Sequence, residues 1–344
     1  MRTRLIAVPL LCGALFSLAA CGNYAIPDST PPPSQSAAAN PFDETEEDAG
    51  FLAMLTHEAA SADFSESGER LPFPYDGGEF RLDYRFSLTG KMDTVGFLLF
   101  LDGQPQPYKV NDTAAEYAYC HSFPAEEDQS FSFLFEPVTG SAGDTLALTV
   151  VSITNPDFQP DMESTSSYGW YHKTLDSRVE LQFNADAPTA HSDLSPVREI
   201  FSKSDVREEK VTAQYVENEL PQYGWGGVSM DTLDSGIYYT FSCDGGITYD
   251  NLRVSAPVTL RFTMCGTAGT SYSIAFFLDH RPVKLDESTC RSITLSKGSV
   301  MELEAVIDPD KLGQFHTFYC VAVPQGGASG PFFKTNSILL YKEN

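Results

Sequence analysis

Two stretches of the sequence decide the fold: F-L-L-F-L-D-G-Q-P from Phe97 to Pro105, and I-A-F-F-L-D-H-R-P from Ile274 to Pro282. Each is an apolar run that ends in an aspartate and is closed by a proline three residues later. The dipeptide Asp102-Gly103 predicts a β-hairpin, because Asp-Gly between strand-like segments is a strong signal for a tight hairpin turn. The matched stretches predict that one structural unit occurs twice.

Further matches flank both stretches in the same order. R-F-S-L-T-G from Arg85 to Gly90 matches R-F-T-M-C-G from Arg261 to Gly266, and Cys120 matches Cys290. Colinear matches over roughly 100 residues are typical of an internal duplication. The longer motif L-L-F-L-D-G-Q-P-Q-P-Y resembles a pattern of tandem β-sandwich surface lipoproteins of Firmicutes, and this resemblance implies no activity.

Several other segments of the sequence alternate between apolar and polar residues. From Phe80 to Leu88 every second residue is apolar, which predicts a strand with one buried face. Short segments of this kind, punctuated by Gly, Pro and Asp, predict an all-β chain with two tandem immunoglobulin-like β-sandwich domains. The antibody-type Cys–Trp–Cys pattern is absent, so the prediction concerns the architecture alone.

The predicted organisation has five parts. Residues 1–20 form a signal peptide, 21–69 a Pro/Ser-rich and then acidic tether, 70–186 the first sandwich, 187–235 a connector and 236–344 the second sandwich. In the connector, Ser195-Pro196 predicts a helix start that continues into Ile200 and Phe201, and Val211 to Leu220 is interpreted as a strand joining the second sandwich.

The N-terminus carries a targeting signal. Arg2 and Arg4 precede an apolar run that is too short to span a membrane, which is the pattern of a secretory leader. The ending L-A-A-C at Leu18 to Cys21 resembles the lipobox of bacterial lipoproteins. This resemblance implies that Cys21 is lipidated and that the mature protein lies outside the cytoplasm, anchored to the cell membrane by its acyl chains.

The charge balance limits the partners. The chain has 22 Lys and Arg against 47 Asp and Glu, for a net charge of −25. A chain this acidic is not expected to bind nucleic acid, because phosphate binding needs clusters of Lys and Arg. We therefore expect a membrane association through the lipid alone, together with a glycan or protein ligand.

Few residues suggest chemistry. Cys265 and Cys320 are both missing from the first repeat, so they form a candidate disulfide, whereas Cys120 and Cys290 are predicted to be unpaired thiols. No CxxC spacing, G-x-S-x-G motif or complete EF-hand loop is present, so no metal, no cofactor and no catalytic residue is predicted. Enzyme activity stays open but is not favoured.

The two tryptophans share a tripeptide context, Tyr168-Gly169-Trp170 and Tyr223-Gly224-Trp225. A glycine beside an indole in a turn can present the ring to solvent, where sugar rings stack, so Tyr168, Trp170, Tyr223 and Trp225 are candidate ligand-binding aromatics. The alternative is that both indoles pack against the sandwich cores.

Three functions remain open from the sequence. The first is a lipid-anchored binding or interaction module on the cell surface. The second is a structural spacer or accessory subunit of an envelope complex, and the third is a hydrolase that uses acidic residues. An exposed aromatic cluster favours binding, buried tryptophans favour the spacer, and a cleft with two facing carboxylates favours the hydrolase.

Overall fold

The computed structural model describes residues 54–90, 92–112, 115–158, 168–188, 197–220, 227–246, 250–327 and 330–342, except for the side chains of Gly169 and Trp170. The compact unit from Gly50 to Asn344 contains all of them. The predicted signal peptide, Cys21 and residues 22–53 lie outside the described residues. Within the described ranges no helix is long and apolar enough to cross a membrane.

The first sandwich consists of two sheets. The outer sheet has the strand order β1-β3-β8-β6, and the inner sheet has the order β2-β10-β9-β4-β5, with β7 also pairing with β4. Its elements are β1 (Met54–Ala59), β2 (Phe73–Tyr75), β3 (Phe80–Thr89), β4 (Thr94–Leu101), β5 (Gln104–Gln106), β6 (Lys109–Val110), β7 (His121–Pro124), β8 (Asp128–Phe135), β9 (Thr145–Thr154), the short helix α1 (Tyr168–Tyr171) and β10 (Thr174–Phe183).

The second sandwich has the outer order β11-β18-β14-β12 and the inner order β13-β21-β19-β15-β16, with β17 on β15 and β20 on β19. Its elements are β11 (Phe201–Lys210), α2 (Ala213–Asn218), a 3-10 turn (Leu233–Ser235), β12 (Ile237–Cys243), β13 (Asn251–Arg253), β14 (Val258–Gly266), β15 (Ser271–Leu278), β16 (Arg281–Pro282), β17 (Arg291–Thr294), β18 (Ser299–Ile307), a second 3-10 turn (Pro309–Lys311), β19 (Phe315–Pro324), β20 (Phe333–Lys334) and β21 (Ile338–Tyr341).

The all-β class and the two tandem sandwiches are confirmed. Matching strands occupy matching places in both halves: β3 and β14 lie beside β8 and β18, and β4 and β15 lie beside β9 and β19. The register agrees too, since Arg85 lies opposite Ser130 as Arg261 lies opposite Glu304. A common origin by duplication remains our interpretation of this agreement.

Each sandwich has its own core, built by the alternation that the sequence shows. In β3 the residues from Phe80 to Thr89 are buried and exposed in strict turn. The buried set of the first sandwich is largely aromatic, and Phe97 contacts the rings of Phe131 and Phe133 at 5.4 and 5.7 Å. The second core holds Phe262, Phe276 and other residues of the matching strands.

A third core joins the two inner sheets. Leu98, Phe100, Val151 and Ile153 of the first sandwich pack with residues of β15 and β19, namely Ala275, Phe277, Tyr319, Val321 and Val323. The rings of Phe100 and Phe277 meet edge to face, with centroids 5.9 Å apart. Both faces of β4 and β15 are therefore buried, which is the physical reason for the uninterrupted apolar runs that identified these strands.

The hairpin turn of each repeat forms a hydrogen bond with the other sandwich. Asp102 and Gly103 have φ angles of 45° and 80°, and Asp279 and His280 have 52° and 60°, as two-residue hairpin turns require. In one direction, Gly326 N–H donates to Asp102 Oδ1 (2.8 Å). In the other direction, His280 Nε2 donates to the carbonyl of the first sandwich's Pro156 (2.7 Å).

Three predictions about the edges of the domains are wrong. The segment at Phe201 is the edge strand β11 rather than a helix, and Ala213–Asn218 is a helix rather than a strand. Thr212 begins this helix by accepting the Tyr215 N–H with its side chain. Met54–Ala59, placed in the tether by its acidic surroundings, pairs with β3 as a strand of the first sandwich.

Candidate functional site

A groove of about 600 Å³ crosses the outer sheet of the first sandwich. Its walls come from three adjacent strands: residues 56–58 of β1, 85–87 of β3 and 128–130 of β8. These strands are antiparallel and in register, so their outward side chains form rows across the sheet. One row contains Thr56, Ser87 and Asp128.

The second row of the groove consists of Glu58, Arg85 and Ser130. Arg85 and Glu58 form an ion pair, with Arg85 Nε 3.0 Å from Glu58 Oε1. Both side chains are about half exposed, so this pair adds little stability and can rearrange around a ligand. The groove thus offers hydroxyls, a guanidinium and the carboxylate of Asp128 to a polar ligand.

The one histidine of the groove faces inward. His57 Nε2 donates to the carbonyl of Leu175 (3.0 Å), and Nδ1 lies 2.6 Å from the Tyr84 hydroxyl, which therefore donates to it. Burial lowers the pKa of His57. With both ring nitrogens engaged and the ring kept neutral, His57 supports the floor of the groove and is not a general base for a bound ligand.

The matching face of the second sandwich is covered at the position that corresponds to Ser87, while Arg261 on the same face remains exposed. Tyr215 of α2 lies over it, and its hydroxyl is 2.7 Å from Thr263 Oγ1, which in turn is 2.7 Å from Thr240 Oγ1. Thr240 lies opposite Thr263 as Thr56 lies opposite Ser87 in the groove. The same position in the two sandwiches is therefore filled by a helix side chain in one and open in the other.

Polar side chains are also buried where the two sandwiches meet. The ring of His172 lies edge-on against the rings of Tyr168 and His280, with centroids 5.1 and 5.4 Å away. Mainly because the two rings are buried, the pKa of His280 is lowered to about 4 and that of His172 to about 2. Lys334 Nζ lies 4.5 Å from the centre of the Tyr319 ring, and burial of its ammonium lowers its pKa to about 7. Burial in the joint thus disfavours the charged form of all three side chains.

The predicted disulfide is wrong. Cys265 and Cys320 are free thiols; Cys265 lies on β14 of the outer sheet, and Cys320 lies on β19 of the inner sheet. Cys320 points into the sandwich core, whereas Cys265 follows the inward-facing Met264 and so points outward, against Val216 of α2. The strand register aligns Cys320 with Val150 of the first repeat.

The prediction of two unpaired thiols is confirmed for Cys120 and Cys290. Both are partly buried beside the core that joins the sandwiches. Burial raises the pKa of Cys120 to about 12 and that of Cys265 likewise to about 12, so these sulfurs stay protonated and are poor nucleophiles.

Of the four predicted binding aromatics, the structure describes the side chain of Tyr168 alone. Tyr168 is buried, and its hydroxyl is bonded to Thr317 of the second sandwich, so this ring presents no free face to a sugar. Trp170 belongs to α1, and its side chain lies outside the described residues. Tyr223 and Trp225 also lie outside them, as does the lipidation site Cys21.

No catalytic constellation is present among the described residues. The closest arrangement is His316, whose Nδ1 is 2.7 Å from Asp279 Oδ2. Its other nitrogen accepts the Gly313 N–H at 2.8 Å, so the ring has no position left from which to activate a nucleophile. The described residues also contain no group of three or more His, Cys, Asp or Glu that could hold a metal ion.

The carboxylates of the groove are not arranged as in a glycosidase cleft. Its two carboxylates, Glu58 and Asp128, lie on strands separated by β3, and Glu58 is already paired with Arg85. Two strand spacings alone amount to about 10 Å, at or beyond the separations of about 5–9.5 Å found between catalytic carboxylates. Nothing in the groove favours the hydrolase.

Sequence reasoning missed the groove altogether. Most of its members are ordinary outward residues of three strands that are far apart in the chain, and no local motif marks them. The one signal was the repeat itself, because Ser87 matches Thr263, and only the latter is covered in the structure.

Comparisons with known proteins do not assign a family. No family model and no curated protein matches the chain. Similar solved structures include the chaperone–tip adhesin complex CsuC–CsuE of Acinetobacter baumannii, with 9% identity over 79% of this chain and 95% of that chain and a TM-score of 0.18.

Two further structures have a similar extent of match. One is a protein of unknown function from Porphyromonas gingivalis, with 8% identity, 83% and 99% coverage and a TM-score of 0.22. The other is the C-terminal domain of the antigen I/II polypeptide BspA from Streptococcus agalactiae, with 8% identity, 84% and 100% coverage and a TM-score of 0.20. Their identities and TM-scores leave the function of this chain unassigned.

Proposed function

We propose that the protein is a lipid-anchored binding or interaction module, displayed outside the cytoplasm and held to the cell membrane through Cys21. The observation that carries the binding role is the groove of about 600 Å³ on the first sandwich, whose equivalent in the second sandwich is covered by Tyr215 at Thr263. A surface kept open in one of two matching sandwiches is available to a ligand, whereas a purely structural pair has no need for the difference.

The ligand classes are a glycan or a protein. The groove supports both, since its hydroxyls and charged groups suit polar partners. A glycan ligand additionally requires aromatic stacking surfaces, for which Trp170 and Trp225 remain the candidates. Affinity per site is expected to be weak and to gain from the display of many anchored copies on one surface.

The experiment compares the acyl-free chain, carrying Cys21→Ala, with two arginine variants on a glycan array and a peptide array. Ser87→Arg places a long side chain in the groove, and Ser255→Arg is the matched control at an exposed turn of the second sandwich. We expect a ligand that binds the parent and the control but not Ser87→Arg. Equal binding to all three chains, or no ligand on either array, contradicts a binding role for the groove.

The second candidate is a structural spacer, and the core between the two inner sheets favours it. The packing of Phe100 on Phe277 and the reciprocal turn contacts tie the two sandwiches into one compact unit. Such a unit holds a partner at a fixed distance from the anchor. This function becomes the preferred one if neither array yields a ligand for the parent chain.

A further inference from the structure

The outer sheets of the two sandwiches differ at one edge. In the second sandwich, β11 pairs with β18 along its whole length, from Phe201 opposite Ile307 to Lys210 opposite Ser299. In the first sandwich the same side of β8 is paired only by the two-residue β6, which lies opposite Leu134 and Phe133. The half of β8 that borders the groove therefore has no neighbouring strand among the described residues.

The direction of the backbone groups shows where the open edge begins. Asn111, next to β6, exchanges two hydrogen bonds with Ser132: Asn111 N–H donates to Ser132 O (2.9 Å), and Ser132 N–H donates to Asn111 Oδ1 (2.8 Å). Backbone groups in an antiparallel strand alternate between its two sides, so those of Ser130 and Asp128 point the same way as those of Ser132. Within the described part of the chain, no strand meets them there.

In the second sandwich, the strand β11 at the equivalent edge carries an arginine that contacts the outer sheet. Asp128 lies opposite Ser87, and the equivalent residue of the second sandwich is Glu302, opposite Thr263. In the same way Ser130, opposite Arg85, corresponds to Glu304, opposite Arg261. Within β11, the guanidinium of Arg207 reaches both glutamates, at 3.2 Å from Glu302 Oε1 and 2.8 Å from Glu304 Oε2. No such cation approaches Asp128 in the described structure.

We propose that the open edge of β8 and the adjoining groove bind an extended, basic segment of a partner protein by strand addition. The backbone of the segment pairs with Ser130, and a Lys or Arg side chain reaches Asp128 as Arg207 reaches Glu302. Main-chain pairing supplies affinity in this mode, and alternate side chains supply specificity. The inference deepens the proposed binding role by naming the class of partner.

Charge decides which chain can supply the segment. The protein's own N-terminal part has no Lys or Arg between residues 22 and 69, so it lacks the cation, and β11 is already paired with β18. The net charge of −25 instead favours association with a basic partner. A separate protein with a basic extended segment is therefore the occupant that fits the site.

The test uses a synthetic peptide with the sequence of residues 201–210, F-S-K-S-D-V-R-E-E-K, which has no net charge but pairs with β18 at the equivalent edge and carries the required Arg207. The receptor is the otherwise complete chain with Cys21→Ala, and calorimetric titration measures binding. We expect the peptide to bind, and its R207A version to bind at least tenfold more weakly, because the charge-assisted contact to Asp128 is lost.

Two receptor variants address the site separately. Asp128→Lys reverses the charge, and Ser130→Pro removes an N–H that points away from β3 and so leaves the β3–β8 ladder intact. Each is expected to weaken peptide binding at least tenfold, whereas the exposed control Glu66→Lys leaves it unchanged. The thermal midpoint of each variant verifies folding, and Asp128→Lys alone suffices if Ser130→Pro does not fold.

The outcomes separate this inference from the proposed function. Absence of peptide binding, or equal binding to Asp128→Lys and the parent, overturns strand addition. If a glycan then binds the parent chain but not Ser87→Arg, the groove is a glycan site and the binding role survives without the strand. If neither peptide nor glycan binds, both proposals fail together.

Discussion

The joint between the two sandwiches is expected to weaken in mild acid because two buried histidines resist protonation. His280 and His172 are almost fully enclosed, and burial lowers their pKa values from 6.5 to about 4 and about 2. Both rings are therefore neutral in the folded chain near pH 5, whereas most histidines of the unfolded chain are charged there. Because the two histidines bind protons in the unfolded chain but not in the folded one, the free energy of unfolding decreases as the pH falls through 6.5.

The magnitude follows from these pKa values. Between pH 7 and pH 5, each histidine is expected to lower the free energy of unfolding by about 2 kcal/mol, so the pair removes about 4 kcal/mol. These pKa values already include the neighbouring charges: Lys334 lowers the pKa of both rings, and Asp279 and Asp157 raise that of His280. Below pH 5 the loss continues as the pH approaches the two folded-state values.

Urea unfolding at pH 7, 6 and 5 measures the effect. His280→Asn keeps a side chain that tolerates the positive φ of 60° and removes the titrating ring, so it is expected to flatten the pH dependence by about 2 kcal/mol. Tyr319→Phe is the control, because it removes the hydrogen bond to the ring but leaves the imidazole. It should lower stability at every pH without changing the slope. A His280→Asn variant with the parent's slope would refute the reasoning.

Three other substitutions test separate parts of the protein. Cys21→Ala is expected to release the chain from membranes, which fractionation and a lipid adduct in mass spectrometry would check; a mutant that still sediments with membranes contradicts the anchor. Phe100→Ala opens a cavity in the core between the sandwiches and should cost about 3–5 kcal/mol in urea unfolding, whereas an unchanged midpoint would show that this core is not formed. Tyr215→Phe deletes the hydroxyl next to Thr263 and should cost about 1 kcal/mol, with no change expected if α2 does not cover the second sandwich.

The tertiary structure gave a different answer from the sequence where segments depend on distant partners. Val211 to Leu220 contains enough apolar residues for a strand, yet Thr212 caps a helix there whose Val216 packs on the outer sheet. The acidic surroundings of Met54–Ala59 predict a tether, but this segment pairs with the edge of β3 as a strand. Local composition carries no information about an edge that is built from another part of the chain.

The thiols show the same limit in a different form. The shared absence of Cys265 and Cys320 from the first repeat suggested a bridge, but one sulfur points into the core and the other away from it. In a strand, a shift of one residue reverses the direction of a side chain, so the separation of two cysteines along the sequence cannot predict whether they meet.

The sequence by itself determined the all-β class, the position of the repeated hairpins and the unpaired state of Cys120, because these follow from period-two alternation, turn residues and comparison of the repeats. The reason that the runs at Phe97 and Ile274 are apolar throughout became visible only in the tertiary structure. The two inner sheets pack on each other and bury both faces of these strands. Only the tertiary structure revealed the groove at Asp128, because a groove is a relation among strands that are distant in sequence and adjacent only after hydrogen bonding has set their order and register.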